Sequence, residues 1–172
     1  MRKLRWLCAL GISLLCLAGC GYHFVGSNPI LPGQIRTIEV PIFQNATARA
    51  FLETILTNQV RSRFSRFTGV KLLTAGHQAE GRLVGKIVAY EVKATAYDAL
   101  DNIIEYTATM RVDVTLKQPV DGKVLWKNQI SWDGTFPAGI DKNLQEVNQQ
   151  KAIVEICEKL AGEILYWMLD DF

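Results

Sequence analysis

The stretch Ile104-Glu105-Tyr106-Thr107-Ala108-Thr109-Met110-Arg111-Val112-Asp113-Val114-Thr115-Leu116-Lys117 alternates apolar and polar residues almost from end to end. Side chains of a strand point to its two faces in turn, so Ile104, Tyr106, Ala108, Met110, Val112, Val114 and Leu116 share one face. Glu105, Thr107, Thr109, Arg111, Asp113 and Thr115 lie opposite. One covered and one wet face mark an antiparallel strand. Downstream, Asp121-Gly122 within Pro119 to Lys123 predicts a hairpin turn, and Val124 to Trp132 the return strand, with Val124, Trp126, Ile130 and Trp132 on one face. Upstream, Leu83 to Lys93 predicts a longer strand, weakened at Gly85.

Something must cover the apolar face, and two amphipathic stretches can. From Thr47 to Phe67, the residues Phe51, Leu52, Ile55, Leu56, Val60, Phe64 and Phe67 recur at three- and four-residue steps, which predicts a helix. Asn45 or Thr47 can cap its start. Arg49, Arg61, Arg63 and Arg66 read as a solvated face, most of it near the C-terminal end where cations suit the helix dipole, the alternative being a basic face for anionic lipid. Lys142 or Asn143 to Leu169 predicts the second helix, with Leu144, Val147, Val154, Cys157, Ala161, Ile164 and Met168 along one side. Ile153, Ile156, Leu160 and Trp167 broaden that side. Before the first helix, Ile35 to Phe43 reads as a strand with Ile38, Val40 and Ile42 on one face and Pro41 near its end or on an edge. After it, Val70 to Thr74 reads as a short strand parallel to the first. The expected fold is α+β: a two-layer sandwich of two helices on one face of a roughly four-stranded mixed sheet, in the order β-α-β-β-β-α.

The N-terminus is an address. Arg2, Lys3 and Arg5 precede an apolar run from Trp6 to Leu17, too short for a membrane span, and Leu17-Ala18-Gly19-Cys20 has the arrangement of a bacterial lipoprotein processing site. Residues 1–19 are expected to be removed, Cys20 to carry covalent lipid, 20–34 to form a lipidated tether, and 35–172 a single domain. Tyr22 and Phe24 are expected to pack near that domain. Gly21, where Asp would signal retention in the inner membrane, points to the outer membrane.

Removing residues 1–19 from 172 leaves 153, enough for one core. Of 19 Lys and Arg, three leave with the signal, so 16 face 17 Asp and Glu. The mature chain is near neutral, and a basic nucleic-acid binder is not supported. Cys8 and Cys16 leave too, which with Cys20 lipidated leaves Cys157 alone and without a disulfide partner. No phosphate loop, catalytic triad order or metal-ligand spacing is visible. His23 lies beside the anchor, His77 in a loop, and Cys157 on an apolar helix stripe reads as a small buried hydrophobe. Neither an enzyme nor a bound metal or cofactor, apart from the lipid on Cys20, is expected.

The pieces Cys20-Gly21-Tyr22-His23-Phe24, Leu31-Pro32, Ile38-Glu39-Val40-Pro41 and Phe43-Gln44-Asn45 resemble the start of the lipopolysaccharide-assembly lipoprotein family LptE. The likeness continues through Leu52 to Phe67, Leu83-Val84-Gly85-Lys86-Ile87, Glu105-Tyr106 and the Gly122 to Trp126 hairpin arm. The resemblance implies an outer-membrane subunit of the lipopolysaccharide translocon, lipid-anchored on the periplasmic side. Such a subunit plugs the lumen of a large β-barrel partner (LptD-like), assists its assembly and binds lipopolysaccharide. The alternative is an outer-membrane lipoprotein that binds another amphiphile or scaffolds a different envelope complex. Strand directions place loops 95–103 and 133–142 at one pole, where the resemblance puts basic ligand contacts. Lys142 matches that pattern; the first loop departs from it with Asp98 and Asp101, and Lys93 just before it is the second expected lipopolysaccharide ligand. At the opposite pole Lys117, Lys123 and Lys127 read as solvated turn charges.

Overall fold

The computed structural model describes residues 31–74 and 78–170. The signal segment, Cys20, Tyr22, Phe24 and both histidines lie outside the described residues. The elements in chain order are β1 (Thr37–Glu39), β2 (Gln44–Asn45), α1 (Leu52–Ser65), β3 (Lys71–Leu73), β4 (Gly81–Tyr97), β5 (Ile103–Lys117), β6 (Val124–Pro137) and α2 (Lys142–Asp170). They form one sheet in the order β3-β1-β4-β5-β6, with β2 pairing β4 beyond the end of β1. The three long strands are antiparallel, while β1 is parallel to both β3 and β4. Both helices pack on one face, against the sheet and each other. This is the α+β two-layer sandwich, with six strands rather than roughly four.

Pro41 accounts for much of the extra count. It cannot donate to the ladder, so the expected strand Ile35 to Phe43 breaks into β1 and β2. The side-chain phase shifts at the break. Ile38 and Val40 are buried, but Ile42 is 60% exposed and Phe43 takes the inward place. Two hydrogen bonds satisfy the backbone here: Arg61 Nε donates to the Val40 carbonyl at 2.9 Å, and the Phe43 N–H donates to Thr57 Oγ1 at 2.9 Å. Arg61 is thus part of the fold rather than of a solvated face. The Phe43 ring lies over Gly85, where a Cβ would stand 2.3 Å from it. Gly85 admits the ring rather than weakening the strand.

The first helix begins five residues later than the periodicity predicts. Asn45 and Thr47 organise a turn instead of capping it: the Thr47 N–H donates to Asn45 Oδ1 at 3.0 Å, and Asn45 Nδ2 donates to the Arg49 carbonyl and to Glu53 Oε2. Phe51, expected on the buried stripe, has φ +67° and is 72% exposed at the helix boundary. Leu52, Leu56, Val60 and Phe64 form the buried stripe as expected.

A register shift between Ile87 and Ala89 changes which residues of β4 face the helices. Leu83, Gly85 and Ile87 pair with Leu116, Val114 and Val112; beyond the shift Tyr90 and Val92 pair with Met110 and Ala108. A second shift, at Leu116/Lys117, sets Val124 opposite Lys117, so Val124 is exposed rather than beside Trp126 and Ile130 in the core. Leu31 and Pro32 are buried at this end, with Leu125 against Gly33, so the described chain enters at the pole where β4 begins.

Candidate functional site

At the far pole, Tyr97 pairs with Ile103, Glu105 with Pro137, and the Ala138 N–H donates to the Ile104 carbonyl at 2.9 Å. Loops 98–102 and 138–141 therefore sit side by side, as the strand directions require. Asp98 closes the first loop. Its carboxylate accepts the N–H groups of Leu100 and Asn102 at 2.8 and 2.9 Å, as well as Asn102 Nδ2. Those donors, Asn102 foremost, hold its pKa below the usual value. The acid that departs from the expected basic pattern thus serves to shape the turn.

Asp141 caps α2, its Oδ1 accepting the Leu144 N–H at 2.8 Å. Gln145 Oε1 accepts the Gly139 N–H, and Asn148 Nδ2 donates to the Pro137 carbonyl, tying the loop to the helix. Lys142 follows directly as the exposed first residue of α2. A cation there opposes the helix dipole, and it adds to the positive potential of the unbonded N–H groups. Lys93 stands in the row of Glu91 and Thr107 on the uncovered side of the sheet and pairs with Glu91 at 3.1 Å. Since α2 lies on the other side, the two expected ligand lysines share a pole but not a face.

What the sequence reading missed here is apolar. Leu100 is 82% exposed and Ile140 93% exposed, one at the tip of each loop, and Tyr97, Ile103, Ile104, Leu144 and Val147 are exposed around them. The stripe of α2 was expected to be buried throughout, yet Leu144, Val147 and Val154 lie open. The signal was present: Leu100 and Ile140 occupy turns, where solvation favours polar residues.

Cys157 is fully buried under α2, and desolvation pushes its thiol pKa up to about 12, so it stays a neutral, inert side chain. No group of three or more metal-ligating side chains occurs among the described residues. Among them too, no helix is long and apolar enough to cross a membrane.

Two helices on one face of a mixed sheet, with the long hairpins projecting beyond them, define a class of two-layer α+β sandwich. Rare lipoprotein B from Shewanella oneidensis shares it with a TM-score of 0.56 at 18% identity, over 79% of this chain and 96% of that one. So does an uncharacterized lipoprotein B from Nitrosomonas europaea, with a TM-score of 0.54 at 13% identity, over 84% and 88%. No curated protein matches the sequence. The family model for lipopolysaccharide assembly, LptE, matches residues 35–166, and the chain belongs to that family.

Proposed function

We propose that this protein is the lipid-anchored outer-membrane subunit of a lipopolysaccharide translocon, held by lipid on Cys20. In this reading it plugs and helps assemble a large β-barrel partner and binds lipopolysaccharide at the pole formed by loops 98–102 and 138–141. The family match over residues 35–166 carries the reading. Two features of the molecule support it, one at this pole and one on the uncovered sheet face. Exposed apolar side chains beside Lys142 offer an amphiphile both of its contacts, acyl chain and phosphate. The wet sheet face suits a barrel lumen, which is polar.

Extraction of the protein from its native membrane in mild detergent tests the partner. A large heat-modifiable β-barrel is expected to co-purify with it; recovery of the protein alone at native expression would count against the plug. For the ligand, Lys142→Glu is expected to weaken lipopolysaccharide binding more than Lys123→Glu, which lies at the opposite pole. Equal losses would remove the site assignment.

A further inference from the structure

The uncovered face of the sheet is not uniformly solvated. Near the pole where the chain enters, it carries a concavity of about 510 Å³. Arg82 and Lys86 of β4, Lys117 of β5 and Lys127 of β6 converge on it, and the Pro41-Ile42 segment walls one side. The register explains the convergence: Arg82 is paired with Lys117, Lys86 with Asp113, and Thr115 with Lys127. Only Arg82 has a counter-ion, Glu39 at 3.4 Å; among the described residues Lys86, Lys117 and Lys127 make no ion pair. Asp113 is held by Gln129 Nε2 at 2.6 Å. Like charges directly opposite on neighbouring strands destabilise a sheet; Glu39 offsets Arg82, but nothing among the described residues offsets Lys117 or Lys127. A bound anion would.

We propose that this concavity binds the phosphorylated sugar headgroup of a glycolipid. The four cations take the phosphate oxygens, and Asp113, Thr115 and Gln44 accept from or donate to sugar hydroxyls. The volume is that of a small-molecule site rather than of a protein interface. An extended peptide fits poorly, because β4 and β5 are both interior strands whose backbone groups are already spent in the ladder. Lys117 and Lys127 are therefore ligand groups rather than solvated turn charges, and Lys123 alone keeps that description. Only the choice of a glycolipid as the source rests on the function proposed above.

The test uses the full-length protein in zwitterionic detergent, titrated with glucosamine 6-phosphate and followed by amide chemical shifts. Saturable shifts are expected at Arg82, Lys86, Thr115, Lys117 and Lys127, with none from glucosamine and weaker binding of inorganic phosphate. A Lys117→Gln/Lys127→Gln variant should bind the phosphosugar about tenfold less tightly. Its denaturation midpoint should be unchanged or raised, since a like-charge contact is relieved. Absence of these shifts, equal binding of inorganic phosphate, or shifts produced by hexaglutamate but not by the phosphosugar would each overturn the proposal. Loss of the barrel in the pull-down bears on the translocon reading alone, so the two failures are separable.

Discussion

The two halves of β5 have the same alternating pattern and opposite fates. From Ala108 to Leu116 every inward residue is fully buried, whereas at the other end Tyr106 is half-buried and Ile104 is 50% exposed. Helix length accounts for the difference. At about 1.5 Å per residue, the 14 residues of α1 reach about 21 Å. The 17 residues of β4 at about 3.3 Å each reach about 56 Å. Since α1 starts beside mid-strand and runs back toward β3, only α2 remains to cover the distal half. Alternation tells which residues share a face; it is silent on whether anything covers that face.

The strongest way to break this contrast is to cut the same strand at both ends. Met110→Ala removes a fully buried side chain and is expected to cost about 2–5 kcal/mol in a denaturant titration. Ile104→Ala should stay within about 0.5 kcal/mol. If Ile104→Ala costs as much as Met110→Ala, the distal half is covered by something the fold as described does not supply.

A smaller effect is expected where Phe43 meets the sheet. Gly85→Ala places a Cβ against that ring, 2.3 Å from its nearest carbons, and should cost about 1–3 kcal/mol through overpacking. A Gly85→Ala/Phe43→Leu double variant should recover part of that loss, because the clash is with the ring itself. Thr57→Val probes the same seam. It leaves the buried Phe43 N–H without its acceptor while keeping the shape, at about 1–2 kcal/mol. Thermal denaturation at fixed pH measures both, and a neutral Thr57→Val would mean the N–H finds another acceptor.

Legibility in the sequence follows the same division. The proximal half could be read because period and packing agree there: Leu52, Leu56, Val60 and Phe64 share one buried core with Leu83, Ile87 and the inward residues of β5. The errors fall where a local event resets the phase. Pro41 turned Ile42 outward, and the shift at Lys117 exposed Val124. Of the candidate site, the shared pole was legible from strand direction. The separation of Lys93 from Lys142 was not, since it depends on which side α2 packs. Nor was the basic concavity, because Arg82 and Lys117 meet only through the register.

The smallest expected effect lies on the boundary between the two halves. Arg49, just before α1, forms a two-pronged pair with Glu146 near the start of α2: Nη1 donates to Oε2 at 3.2 Å and Nη2 bonds Oε1. Arg49 holds the Glu146 carboxyl below its ordinary pKa of 4.5, chiefly through this hydrogen bond. A carboxylate with a depressed folded-state pKa contributes stability that is fully present above its unfolded value and lost as the pH falls through the folded one. The pair is largely solvated, so its contribution should be about 0.2–1 kcal/mol and shrink in salt. Glu146→Gln should therefore be slightly less stable than the parent near neutral pH, and the two stability curves should converge below pH 4.5. Curves that stay parallel into acid would show that the side chain of Glu146 matters by packing rather than charge. The link between the turn before α1 and the start of α2 would then be steric, and the boundary between covered and open halves would owe nothing to this pair.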